Sequence, residues 1–190
     1  MNTHTRAPAP LLAEDDSGLD PAECVRLYRK LAAGVSIVSA LSHTGPVGLT
    51  ASTVTSLSLR PPLLLVCLAA GSYTLSAIQD RGRFGVQLLA DHQRQVAQDF
   101  ASATGTRFTD SNHSRIHDVP ILDATLGWSV CRLTDAREYG DHVLVVGQVV
   151  AAGTGLGRPL IWHSQRFADI ADAAHDKATR DWNGDLWNGT

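Results

Sequence analysis

The chain predicts a mainly β fold with flanking helices, an antiparallel barrel or sandwich. Six or seven short apolar runs of strand length are separated by turn residues. Most links between them are short turns. The strand–helix alternation that a doubly wound parallel sheet needs stops after residue 120.

The elements follow in order. Residues 1–19, rich in Pro, Ala and acids, read as a disordered leader. Asp20 caps a helix with Pro21 at its first position and Glu23 at its third. Val25, Leu27, Tyr28, Leu31 and Ala32 form its apolar face, and Gly34 ends it. Residues 35–41 and 47–51 are strands of a hairpin across a Ser-His-Thr-Gly-Pro turn. A Ser/Thr-rich stretch over 52–59 leads through Arg60-Pro61-Pro62 to a short buried strand, 63–68. Gly71 and Ser72 open a helix over 73–80, and residues 83–89 are a further strand. Asp91 is positioned to cap a helix over 92–102, and residues 103–120 form a long polar loop, a feature often functional. Residues 126–137 and 142–152 are two longer strands joined at Tyr139-Gly140-Asp141. A closing hairpin joins 159–163 to 166–170 across Ser164-Gln165, so one domain spans 20–170, and 171–190 is a tail with Trp182 and Trp187.

Composition excludes several function classes. With 190 residues, 44% of them hydrophobic, the chain suits a single domain with its own core. A net charge of −3 offers no electrostatic grip on nucleic acid or anionic membrane. The N-terminus lacks the apolar run of a signal peptide, and no stretch approaches a membrane span, which predicts a cytoplasmic protein. Cys24, Cys67 and Cys131, odd in number and without a Cys-x-x-Cys pair, read as free thiols of a reducing compartment.

Some motifs dissolve on inspection. The glycines at 153, 155 and 157 are one position short of a dinucleotide fingerprint and precede a strand rather than a helix. His113 and His117 share helical spacing but lack an acid or cysteine set, so no metal site is expected. No Gly-x-Ser-x-Gly elbow supports a hydrolase.

Three segments carry chemistry. Residues 50–56 place five hydroxyls at the exit of an apolar strand, where small donors and a close backbone suit the polar edges of a flavin ring. Residues 67–74 run from a buried strand into a helix opened by Gly71 and Ser72, and unpaired N–H groups there suit a phosphate. At Gly140-Asp141-His142 a tight turn lets Asp141 orient His142. Each segment alone is also consistent with ordinary strand, cap or turn chemistry.

Seven stretches, residues 31–38, 46–52, 56–67, 82–86, 98–102, 140–142 and 159–163, together and in register resemble the short-chain flavin reductases. These are the reductase components of two-component flavin-dependent monooxygenases, and the resemblance covers roughly residues 23 to 170. It implies an FMN-binding, Greek-key split β-barrel that forms a homodimer with flavin near the interface. It implies that NADH or NADPH reduces FMN or FAD, and that the reduced flavin diffuses to a partner monooxygenase. Pro46, Val47, Gly48, Leu49, Thr50, Ser52 and Thr53 resemble the lining of the isoalloxazine and ribityl chain, with Cys67, Leu68 and Ala69 against the ring. Tyr73 and Thr74, helped by Ser72, match the phosphate side, Asp99 and Phe100 a further contacting pair, and His142 the histidine that meets the nicotinamide.

The chain departs from that pattern at four places. Ser52-Thr53 stands for the common Asn-Ser, Gln87 for Asn, Phe167 for Tyr, and Asp99 for a basic residue. Two alternatives share the same residues: a flavin-dependent enzyme acting on its own organic substrate, and a non-catalytic flavin-binding protein.

Overall fold

The computed structural model describes residues 18–105 and 107–170. The expected tail, and all of the expected leader except residues 18 and 19, lie outside the described residues. Within them, α1 (Pro21–Tyr28) starts as the sequence implies, with the Asp20 carboxylate accepting the Ala22 N–H at 2.7 Å. It stops well before Gly34. Ala33–Gly34 instead form β1, pairing with β11 (Ile161–His163), while the Ser164 N–H binds the Arg29 carbonyl. Long-range pairing overrides the local helical pattern, and α1 buries none of its residues.

A seven-stranded antiparallel sheet dominates. Its strands are β2 (Ser36–Ser42), β3 (Gly45–Ala51), β4 (Val54–Leu59), β5 (Pro62–Ala69), β6 (Arg83–Leu88), β9 (Gly127–Tyr139) and β10 (His142–Thr154), in the order β3-β2-β6-β9-β10-β5-β4. The two outermost strands, β3 and β4, are joined only by Ser52-Thr53. Three Cα steps reach at most about 11 Å. Six strand spacings laid flat would cover roughly 29 Å. The sheet therefore rolls until its ends approach, but β3 and β4 do not pair, so the barrel is split along one seam.

The interior is apolar. Val38, Ala40, Val66, Leu68, Phe84, Val86 and Val145 meet Leu75, Ala77 and Ile78 from α2 (Tyr73–Arg81), whose helix serves the same core. Gly147 has no side chain for a steric reason, since a Cβ there would sit 2.5 Å from the Phe84 ring. A second cluster lies outside β2, where Val35, Ile37, Leu89, Leu122 and Leu160 pack against Ala97 and Phe100 of α3 (Arg94–Ala101). Among the described residues, no helix is long and apolar enough to cross a membrane.

Four further expectations are revised. The described residues hold twelve strands rather than six or seven. The Ser/Thr-rich stretch after Thr53 is itself the strand β4, because its backbone pairs with β5. Part of the presumed long loop folds into a hairpin of β7 (His113–Ile116) and β8 (Val119–Leu122), turning at His117 and Asp118 with φ of 50° and 64°. These strands escape the sequence pattern because they are only four residues long and β8 carries Pro120. Asp91 does not cap α3. It opens a 3-10 turn over Asp91–Gln93, and the Gln93 side chain returns to accept the Ala90 N–H at 2.9 Å.

Gln87, wholly buried, pins that hairpin to the barrel. Its Nε2 donates to Ser39 Oγ at 2.7 Å, its Oε1 accepts the Leu122 N–H at 3.0 Å, and Ser39 Oγ donates to the Pro120 carbonyl at 2.7 Å. The residue that departs from the family pattern at 87 thus acts in the fold. The closing hairpin is as expected, from β11 to β12 (Arg166–Ala168), with Ser164 and Gln165 at φ of 50° and 61°.

Candidate functional site

The seam creates the site. β4 leaves β5 after the Val54–Val66 pair, so the ladder on that side of β5 ends at Cys67, and β3 pairs only with β2. Two backbone edges thus face one another without closing. The link between β3 and β4 is anchored across the mouth: the Cys67 N–H donates to the Thr53 carbonyl at 3.2 Å, and Thr53 Oγ1 to the Cys67 carbonyl at 2.8 Å.

A cleft of about 430 Å³ lies here, lined by Leu49, Thr50, Ala51, Ser52, Thr53, Cys67, Leu68, Ala69, Phe100, Ala101, Arg107 and His142. Nine residues singled out from the sequence therefore meet: Leu49, Thr50, Ser52, Thr53, Cys67, Leu68, Ala69, Phe100 and His142. The hydroxyls divide by task. Thr50 Oγ1 donates to the Ala97 carbonyl at 2.6 Å and holds α3 on β3. Ser52 is exposed, and among the described residues its hydroxyl has no hydrogen-bond partner, so it is the free donor at the strand exit.

His142 opens β10 opposite Ala69, directly after the Gly140 turn with φ of 62°. Its Nδ1 lies 2.7 Å from Asp141 Oδ1, and that hydrogen bond, reinforced by the imidazole's charge when protonated, holds the Asp141 carboxyl below its ordinary value. The carboxylate fixes the ring orientation and leaves Nε2 for a ligand.

The remaining predicted residues lie apart from the cleft. Pro46 and Val47 sit toward the other end of β3. Gly48 faces Phe100, and a Cβ there would come within 2.9 Å of the ring. Ser72 is the N-cap of α2, its Oγ accepting the Leu75 N–H at 3.3 Å, which leaves the leading N–H groups of Tyr73 and Thr74 for an anion. Tyr73 is exposed beside Thr44, 3.4 Å from its hydroxyl, and hydrogen bonds to Thr44 and then Ser42 lower its phenol's pKa; Thr74 is buried. Asp99 points elsewhere, accepting from Gln95 Nε2 at 2.9 Å and lining a separate cavity with Asn112 and Asp123.

The sequence reading missed Arg107. Its one signal was membership of the long polar loop. Phe108 beside it packs edge-on against Phe100, with centroids 5.0 Å apart, and this contact brings the loop back to the seam. Among the described residues, no group of three metal-ligating side chains occurs.

The cleft sets apolar side chains of Leu49, Leu68, Ala69 and Phe100 beside the exposed Ser52 hydroxyl, Arg107 and His142, the mixture of apolar surface and polar groups that a ring with a polar rim requires. Fold and seam together define a split β-barrel of the flavin-binding class. The chain belongs to the flavin reductase-like family, matching its domain over residues 28–171. It is 38% identical to the reductase component of a 4-nitrophenol 4-monooxygenase/4-nitrocatechol 2-monooxygenase of Rhodococcus opacus, over 78% of this chain and 80% of that one. A "probable flavin reductase" of Rhizobium meliloti (strain 1021) is 37% identical over 70% of this chain, and the chain spans 43% of that longer protein. The solved Streptomyces globisporus C-1027 NADH:FAD oxidoreductase SgcE6, in complex with NAD and FAD fragments, superposes with a TM-score of 0.76 at 25% identity, over 82% of this chain and 98% of that one.

Proposed function

We propose that this protein is a cytoplasmic NAD(P)H-dependent flavin reductase that reduces FMN or FAD and supplies the reduced flavin to a partner monooxygenase. The observation that carries the reading is the seam cleft, where the hydroxyl-bearing strand exit, the free end of β5 and His142 converge. Family membership and the activities named for the relatives support the same chemistry.

A bound flavin supplies the acceptor for hydride from a reduced nicotinamide, and the protein's part is placement. Leu49, Leu68, Ala69 and Phe100 would flank the ring and keep water from it. Ser52 Oγ and the open edge of β3 would meet its polar rim, Pro46 to Gly48 its ribityl side, and Ser72, Tyr73 and the Thr74 N–H its phosphate. Asp99, outside the cleft, would bear on flavin only by holding Phe100's helix. His142, aligned by Asp141, would hold the nicotinamide against the ring. No side chain need exchange a proton with the reacting atoms.

A homodimer would complete the site. Val25, Leu27 and Tyr28 on α1 and Leu31 just beyond it are exposed, and a groove of about 600 Å³ runs from there past Trp162 to Ser52 and Thr53, which also border the cleft. A second copy seated on that groove would bury the apolar face beside the flavin.

One observation favours a second reading, an enzyme acting on its own organic substrate. An apolar cavity of about 300 Å³ between α3 and the Trp162–Phe167 pair shares Thr50, Ser52 and Ala101 with the cleft. The experiment that decides is NADH and NADPH oxidation with FMN, FAD and riboflavin supplied in turn. Turnover dependent on added flavin is expected; none with any flavin sinks the proposal, and product formation from an organic substrate without an oxygenase establishes the second reading.

A further inference from the structure

We infer that Arg107 is a phosphate-recognising residue of the seam cleft, held in place for a phosphate ester of a nucleotide bound there. The inference rests on the proposed reading of that cleft as the redox site, and assigns it an anion subsite. Arg107 is the only Lys or Arg among the described lining residues, and no carboxylate lines the cleft with it. Among the described residues no carboxylate lies within ion-pair distance of its guanidinium. Asp99 and Asp123 border the neighbouring cavity that Arg107 also touches, but neither pairs with it.

Its position is built rather than incidental. Nη2 donates to the Ser102 carbonyl at the end of α3, at 2.9 Å, which leaves the guanidinium's other N–H groups for a ligand. The Arg107 carbonyl accepts from Asn112 Nδ2 at 2.9 Å, while Asn112 Oδ1 accepts the Thr109 N–H at 2.8 Å, stapling the turn. Phe108 is wedged between Phe100 and His113, with centroids 5.0 and 5.1 Å away. A cation fixed at both backbone and side chain, partly desolvated and unpaired, favours a phosphate over water, and the planar fork suits two of its oxygens. Two phosphates are available to such a cleft: that of the flavin, which Arg107 would share with the Ser72 helix start, and the pyrophosphate of the nicotinamide dinucleotide.

The test compares wild type with Arg107→Gln and Arg107→Lys by flavin fluorescence titration with FMN and riboflavin, and by steady-state kinetics in NADH. If Arg107 holds the flavin phosphate, Arg107→Gln lowers the preference for FMN over riboflavin about tenfold. If it holds the dinucleotide, flavin affinities stay fixed while KM for NADH rises about tenfold at constant kcat. In either case Arg107→Lys recovers part of the loss, and added salt narrows the gap from wild type. No change in any of these quantities, or an equal loss for riboflavin and FMN, overturns the assignment. A third arm is independent of flavin: inorganic pyrophosphate should protect Arg107 from phenylglyoxal. Protection in a protein that reduces no flavin would sink the functional reading and keep the subsite; absence of protection overturns the subsite.

Discussion

The closed wall of the barrel and its open seam are made by the same sheet and differ in how completely their groups are used. Along β6, Phe84, Val86 and Gln87 are buried, both edges are laddered, and even the Gln87 amide is matched to Ser39 and Leu122. At the seam, β3 and β4 do not pair, Ser52 is exposed, and Arg107 and His142 border the cleft. Stability is concentrated where every group has a partner. Recognition is concentrated where groups are held but left unmatched.

Removing a wall residue should break the contrast most severely. Phe84→Ala empties the space that Gly147 leaves for the ring and should cost about 3–5 kcal/mol in urea unfolding. A cost under 1 kcal/mol would mean that the wall is not the stable half. Gln87→Leu strands the buried Leu122 N–H and should cost about 1–3 kcal/mol, with faster hydrogen exchange in the β7–β8 hairpin. Unchanged exchange there would remove the clamp role.

The seam should answer in function and not in stability. His142→Ala should raise KM for NADH roughly fivefold, about 1 kcal/mol of binding, with an unaltered melting temperature. Unchanged kinetics would exclude the histidine from the site. The smallest effect sharpens the comparison by chemistry alone. Burial pushes the Cys131 thiol up to about 11, whereas Cys67 borders the cleft. In a Cys24→Ser background at pH 8, iodoacetamide should label Cys67 and spare Cys131, and flavin should slow that labelling. Because the folded thiol is raised, Cys131's contribution is intact below the unfolded value near 9 and is lost as pH climbs toward 11. Rapid modification of native Cys131 would contradict its burial.

The legible parts of the molecule are those whose cause is local. The Ser72 cap, the Gly140 turn and the Ser164-Gln165 turn depend on neighbours a few positions away, and each appears where the residues imply. Most of the cleft was legible too, because a hydroxyl-rich strand exit, a strand running into a helix cap and a Gly-Asp-His turn are short motifs. The end of α1 was not, because Gly34 answers to Ile161, far along the chain. Nor was the purpose of Gln87, whose partners Ser39 and Leu122 lie 48 and 35 positions away.

By itself the sequence determined an antiparallel β protein, its main strands and turns, and the three segments that border the cleft, because alternation, turn chemistry and capping act over a few residues. Tertiary structure alone decided that the sheet rolls until Ser52-Thr53 bridges its two ends. It alone brought Arg107 to the seam on the Phe100–Phe108 contact. Those outcomes depend on which distant surfaces bury one another, a quantity no short window of residues contains.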